Sequence, residues 1–206
     1  NFKNYINISK GFEKWHTSFR FFRNQNENDF AIINPTSKQR FSQSNSNIYQ
    51  LSLMNENYFH LGSNSQLKII GMYQQLYRQI PPTLSENQSL ANQDDYVTRI
   101  LTEYKFFRRN YSLNIRSSYL NEINNYFNPI SSIESNNPCT SFINEIDFKN
   151  NINKNHVISL SIMNNYSFSN GNNYSSKIKQ NRLSATLLYN WKSKDNKWSQ
   201  SFNTRQ

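Results

Sequence analysis

Apolar and polar residues alternate along this chain in runs of about ten, joined in turn by short polar turns and longer polar stretches. In TSFINEIDFKN (140–150), Phe142, Ile146 and Phe148 alternate with Glu145, Asp147 and Lys149. The turn NINKN follows, then HVISLSIMNN (156–165), where Ile158, Leu160 and Ile162 alternate with Ser159, Ser161 and Met163. A longer stretch leads to RLSATLLYNW (182–191), with Leu183, Ala185, Leu187, Tyr189 and Trp191 on one side. A period of two predicts β-strands with one apolar face. The runs exceed the five or six residues of an ordinary strand and suit a tilted strand crossing a bilayer.

The same reading extends to the N-terminus. It predicts strands at about 2–9, 15–24, 47–60, 66–79, 95–107, 111–126, 140–150, 156–165 and 182–191, with a tenth starting near Trp198. KGFEK, GSNSQ, RRN, NINKN and KSKDNK are the short joints. The long ones span 25–46, 79–94, 127–139 and 168–180. Within the first long joint, DFAIINP (29–35) and KQRFSQS suggest a small hairpin outside the main array. Pro81 and Pro82 cannot sit in a central ladder and mark the second as a loop.

Strands of this length, short turns at one end and long loops at the other are the signature of an outer-membrane barrel. The expected class is all-β: an antiparallel up-and-down transmembrane β-barrel segment of about ten strands. Aromatics gather near strand ends, where interfacial girdles would lie: Trp15, Phe59, Tyr73, Tyr77, Phe106, Phe107, Tyr111, Tyr119, Tyr126, Tyr189, Trp191 and Trp198. Both ends fall within alternating patterns, so residues 1–206 read as part of one barrel domain, with other strands and any plug outside this chain.

Composition refines this picture. Only 17% of the 206 residues are charged, 15% are aromatic, and mean hydropathy is −0.86. About one residue in six is Asn, yet the regular placement of the aromatics argues against a disordered chain. No apolar run reaches the length of a membrane helix. The net charge of +10 comes from bases scattered among Asn and Ser, which fits a solvated surface and no nucleic-acid partner. Cys139 is the single cysteine, so neither an internal disulfide nor a Cys-based metal cluster is expected.

No catalytic constellation stands out, and no enzyme activity, metal site or cofactor is expected. His16, His60 and His156 read as polar wall or interface residues. Glu145, Asp147 and Lys149, and Glu103 and Lys105 beside Arg116, read as charge networks on a polar wall.

The stretch LKIIGMYQQLYRQIPPT (67–83) resembles a barrel segment of TonB-dependent outer-membrane receptors of Bacteroidetes-type bacteria. In that segment a Trp-Tyr-Gln-Gln-like run is followed by Arg, Ile and Pro. Here Met72-Tyr73-Gln74-Gln75 differs at its first position and is followed by Arg78, Ile80 and Pro81. KGFEKWHTSFRFFRNQNENDFAIINP and NNINKNHVISLSIMNNYSFSNGN are similar to other hairpins of those barrels.

The resemblance implies a barrel of about twenty-two strands with an N-terminal plug. Such a receptor sits in the outer membrane of a Gram-negative bacterium, in contact with lipid, and imports a scarce nutrient chelate such as cobalamin or a siderophore. Its energy comes from the TonB complex, reached through the plug. On this reading the long loops lie outside the cell, and Phe30, Tyr77, Arg78, Tyr126 and Tyr166 near their bases contact the ligand. The residues leave two other readings open: a soluble surface-exposed β-domain for adhesion or carbohydrate binding, and a plug-free porin-type barrel.

Overall fold

The computed structural model describes residues 1–28, 31–33, 38, 40–83, 88–172, 174–195 and 197–205. Among these there is no helix. Twelve strands form: β1 (Phe2–Gly11), β2 (Trp15–Asn26), β3 (Ala31–Ile33), β4 (Arg40–Ser42), β5 (Ile48–His60), β6 (Ser65–Gln79), β7 (Asn92–Phe107), β8 (Tyr111–Asn128), β9 (Ile133–Asn151), β10 (His156–Ser169), β11 (Ile178–Lys192) and β12 (Ser199–Arg205). Ten of them make one sheet in the order β1-β2-β5-β6-β7-β8-β9-β10-β11-β12, and β3 pairs only with β4. Every pairing is antiparallel, so the ten-stranded sheet is a meander of sequential neighbours.

Because register partners share a face, the ladders fix which residues line each side. One row crosses eight strands as Trp15, Phe59, Leu67, Tyr104, Ile115, Ile146, Ile162 and Ala185, without a charged member. The adjacent row on the opposite face reads His16, Tyr58, Lys68, Glu103, Arg116, Glu145, Met163 and Ser184. The alternation in the sequence therefore becomes two chemically distinct faces. The rows also climb. Trp15 is the first residue of β2, whereas Ile162 lies six residues beyond His156, the first of β10. A register that drifts steadily is the stagger of strands tilted against the line of their turns.

The apolar face has no second layer on it. Ile6, Phe19, Ile100, Ile115, Ile146, Leu160, Ile162 and Leu187 are all exposed, and Ala91 is the one buried apolar residue among those described. A compact protein of 24.5 kDa exposes about 10,000 Å², and this chain exposes 14422 Å². The difference corresponds to a sheet with two open faces.

The expected strands all form, and the anticipated hairpin in the first long joint appears as β3 and β4. The strict alternation of joints fails once. NPISSIESNNPC, read as a loop over 128–139, is mostly strand: β8 runs on to Asn128 and β9 begins at Ile133, leaving a turn of only Pro129–Ser132. The Asn128 side-chain carbonyl accepts from the amides of Ile130 (3.1 Å) and Ser131 (3.4 Å), and Ser132 takes a positive φ of 53°.

Pro138 is tolerated inside β9 for a directional reason. The Asn136 amide points to the β10 side, where it donates to the Asn172 side chain (2.8 Å). Pro138, two residues on, faces the same way. The β10 ladder ends at Ser169 opposite Cys139, so the missing amide costs no ladder bond.

Side chains stitch the bases of the long connections. Asn45, at φ 53°, donates to the carbonyls of Ile80 and Ala91, both at 2.8 Å. The Ser46 hydroxyl donates to the carbonyls of Glu27 (3.2 Å) and Asn28 (3.0 Å). Beyond β10, Gly171 lies so close to β9 that an added Cβ would sit 2.7 Å from the Asn136 carbonyl oxygen. That approach lets the Asn172 amide donate to the same oxygen at 3.0 Å.

Candidate ligand-facing surface

The charged side chains of the strands concentrate on the polar face, where the register places opposite signs together. Lys68, Glu103, Arg116 and Glu145 follow one another across β6 to β9. Arg116 Nη2 lies 2.9 Å from Glu145 and 2.6 Å from Asp147, and Lys105 lies 3.2 Å from Glu103. Arg20 pairs with Glu56 at 2.9 Å, and the Ser18 hydroxyl also donates to that carboxylate. The charge network expected around Glu145 and Asp147 is thus present through Arg116, but among the described residues Glu103 forms its ion pair with Lys105 and not with Arg116, and Lys149 contributes none.

Nearer the long connections a second cluster forms. Arg78 Nη2 donates to the Gln93 side-chain Oε1 at 2.7 Å. Gln93 Nε2 donates to both oxygens of Asp95 at 2.9 and 3.1 Å, and Asn124 donates to Asp95 at 2.5 Å. Tyr126 opposes Gln93 in the ladder, so Arg78, Gln93 and Tyr126 form one row on β6, β7 and β8. Arg99 and Glu122 pair at 2.7 Å lower on the same face. Between the two pairs opens a hollow of about 420 Å³ lined by Gln74, Leu76, Asp95, Glu122, Asn124, Asn137 and Cys139.

This arrangement separates the five anticipated contact residues. Arg78 and Tyr126 come together on the polar face. Tyr77 and Tyr166 lie on the apolar face: Tyr77 opposes Tyr49 and Asp94, while Tyr166 opposes Phe142 and sits 6.0 Å from the Phe168 ring. Phe30 lies outside the described residues. Sequence reasoning missed Gln93, Asp95 and Asn124. The spacing of Gln93 and Asp95 shows that they share a face, but their alignment with Arg78 depends on the β6–β7 register, which no local pattern reveals.

A further hollow of about 390 Å³ lies toward the short turns, lined by residues that include His16, Tyr58, His60, Lys68, Glu103 and Lys105. The sheet therefore brings His16 and His60 onto neighbouring strands, whereas His156 is on the apolar face, its Nδ1 2.6 Å from the Tyr189 hydroxyl. Among the described residues no group of three His, Cys, Asp or Glu side chains is placed to hold a metal ion.

Of the aromatics expected near strand ends, Tyr73 and Tyr119 lie near the middles of β6 and β8, and most of the others gather at the two ends of the sheet. At the short-turn end Phe12 stacks on Trp15 (4.9 Å) and Trp15 on Phe59 (5.9 Å), while Tyr111 lies 5.9 Å from Phe106 and 6.3 Å from Phe148. At the other end Arg23 lies 5.5 Å from the rings of both Phe2 and Tyr49. By register parity Phe107 and Tyr126, also expected in the girdle, belong to the polar face. Comparison with protein-family models yields no match for this chain, and comparison with curated proteins yields none either.

Proposed function

We propose that this sheet is part of the wall of a TonB-dependent outer-membrane receptor that imports a scarce nutrient chelate such as cobalamin or a siderophore. The apolar face meets lipid and the polar face lines the passage. The observation that carries the membrane reading is the pair of adjacent rows: Trp15 to Ala185 wholly uncharged on one face, Lys68-Glu103-Arg116-Glu145 on the other. A soluble sandwich would need a second sheet over Ile115, Ile146 and Ile162, because so broad an exposed apolar surface is unstable in water. A bilayer covers it without one.

The receptor reading draws on the resemblance carried by residues 67–83, which form β6 and the first residues of the next connection. Within it, Arg78 and Tyr126 are the ligand contacts we propose. The guanidinium offers charged donors to carboxylate or amide groups, and the ring offers a stacking surface. Tyr77 and Tyr166 belong instead to the aromatic border of the lipid-facing side. The short turns face the periplasm and the long connections the exterior.

Uptake by cells carrying the full-length gene tests this reading. Accumulation of labelled cobalamin or ferric siderophore should require both the gene and a functional TonB system. Uptake that persists without TonB would instead indicate a plug-free porin-type barrel. A full-length protein found in the soluble fraction would favour the adhesive or carbohydrate-binding domain.

A further inference from the structure

We propose that the short-turn rim of the sheet is a docking collar for the headgroups of anionic phospholipids; the proposal rests on the membrane reading above. The charges are unevenly divided between the two ends. The five short joints (12–14, 61–64, 108–110, 152–155 and 193–198) carry the bases Lys14, Arg108, Arg109, Lys154, Lys194 and Lys197 against the acids Glu13 and Asp195. The four joints at the opposite end (27–47, 80–91, 129–132 and 170–177) hold three bases and three acids.

The acids at the short-turn end do little to neutralise these bases. Asp195 is engaged by its own turn, accepting from the Ser193 hydroxyl and the Lys197 amide, and its contact with Lys197 Nζ stretches to 4.0 Å between exposed groups. Among the described residues Lys14, Arg108, Arg109, Lys154 and Lys194 make no ion pair.

Arg108, and Lys10 near the end of β1, sit where a headgroup would be. Lys10 lies 5.1 Å from the Phe12 ring and Arg108 5.8 Å from the Phe106 ring, so cations cap aromatics at the border of the apolar face. Phe12 continues into the Trp15–Phe59 stack, and Phe106 into Tyr111 and Phe148. An aromatic rim fixes the depth of the interface, and bases just beyond it meet the phosphates. A zwitterionic headgroup offers a phosphate together with its own cation. An anionic headgroup leaves the phosphate charge for the protein, so the collar selects the anionic lipid.

The test uses the full-length protein reconstituted into two kinds of bilayer disc, phosphatidylcholine alone and an equal mixture with phosphatidylglycerol. Lipid retained after transfer to detergent is identified by native mass spectrometry. The expected result is preferential retention of phosphatidylglycerol. It should fall roughly fivefold or more in a variant carrying Arg108→Gln, Arg109→Gln, Lys194→Gln and Lys197→Gln, and also in the unaltered protein at high salt. The salt arm needs no mutation and so stands even if the variant folds poorly.

Equal retention of both lipids, or a preference untouched by salt and by the four substitutions, would overturn the collar and leave the barrel reading intact. So would loss of the preference on Lys177→Gln with Lys179→Gln at the opposite rim. Failure to enter either bilayer would overturn the membrane reading itself.

Discussion

Ile115 and Ile146 face each other across β8 and β9 with 38% and 47% of their surfaces open, while their sequence neighbours Arg116 and Glu145 close an ion pair at 2.9 Å on the other side. One step along each strand thus separates an uncovered apolar pair from an ion-paired one. In water this places the wrong pair in the open. Beside lipid the assignment is favourable on both faces.

The adjacent residues Ile162 and Met163 turn that contrast into a stability measurement. Ile162→Arg puts a charge among the apolar residues of β10, and Met163→Arg puts the same charge beside Glu145 on the polar face. In vesicles the first should cost about 2–4 kcal/mol and the second less than about 1 kcal/mol. Denaturant titration of the reconstituted full-length protein reads the difference. Equal costs would mean that the two faces do not differ in their contact with lipid.

Arg116 holds two carboxylates with a side chain that is 38% exposed, so solvent screens both pairs. A double-mutant cycle with Arg116→Met and Asp147→Asn should give a coupling of about 1 kcal/mol. Arg116→Met alone should cost more than the double variant implies, because it leaves Glu145 and Asp147 together without their cation. Additive effects would show that the 2.6 Å contact is not maintained in solution.

Gly171→Ala should loosen the segment after β10. Its new Cβ would meet the Asn136 carbonyl at 2.7 Å and the Asn137 Cα at 3.2 Å, both backbone atoms. Crowding of this kind costs about 1–3 kcal/mol, so hydrogen exchange at the Asn136 and Asn172 amides should quicken roughly tenfold or more. Gly71→Ala is the control, since a Cβ there meets nothing within 4 Å. Unchanged exchange in Gly171→Ala would show that residues 170–172 are not docked on β9.

The turn between β11 and β12 should respond to acid. The Ser193 hydroxyl, and after it the Lys197 backbone N–H, hold the Asp195 carboxyl below its ordinary value of 3.8. A depressed folded value means that the contribution is complete above 3.8 and disappears as pH falls through the lower folded value. The amide resonances of Lys197 and Trp198 should shift in that acid window, and Asp195→Asn should flatten the transition. A midpoint above 3.8 would contradict the hydrogen bonds that define the turn.

Much of the sheet was legible because burial chemistry leaves a period-two trace wherever one face must be apolar. Where that requirement ends, so does the trace. β10 and β11 pair as far as Ser169 and Ile178, well past the Asn165 and Arg182 bounds read from alternation: Tyr166 and Phe168 continue the apolar face of β10, but the facing IKQN bonds through backbone groups with little apolar pattern. In β8 and β9 the Pro and Asn residues resemble a loop, yet Asn125 opposes Asn136, whose side-chain Nδ2 donates to the Asn125 side-chain oxygen at 2.6 Å. Tertiary pairing there overrides local propensity.

The candidate contacts divide in the same way. The parity of Tyr77 with Leu67 and of Tyr166 with Ile158 already assigns both to the apolar face. The meeting of Arg78 with Gln93 depends instead on the β6–β7 register, set across a connection (80–91) whose length local chemistry does not dictate, and Tyr126 then follows from the β7–β8 register across the short turn 108–110.

Site-directed spin labelling along β10 tests the central claim most directly. Single cysteines at 157–163, introduced into the full-length protein with Cys139→Ser and reconstituted in vesicles, report access to oxygen in lipid and to a nickel chelate in water. Oxygen access should peak at 158, 160 and 162, and nickel access at 157, 159, 161 and 163. Nickel access at every position, or oxygen maxima at the odd positions, would contradict a sheet whose apolar face lies against the bilayer.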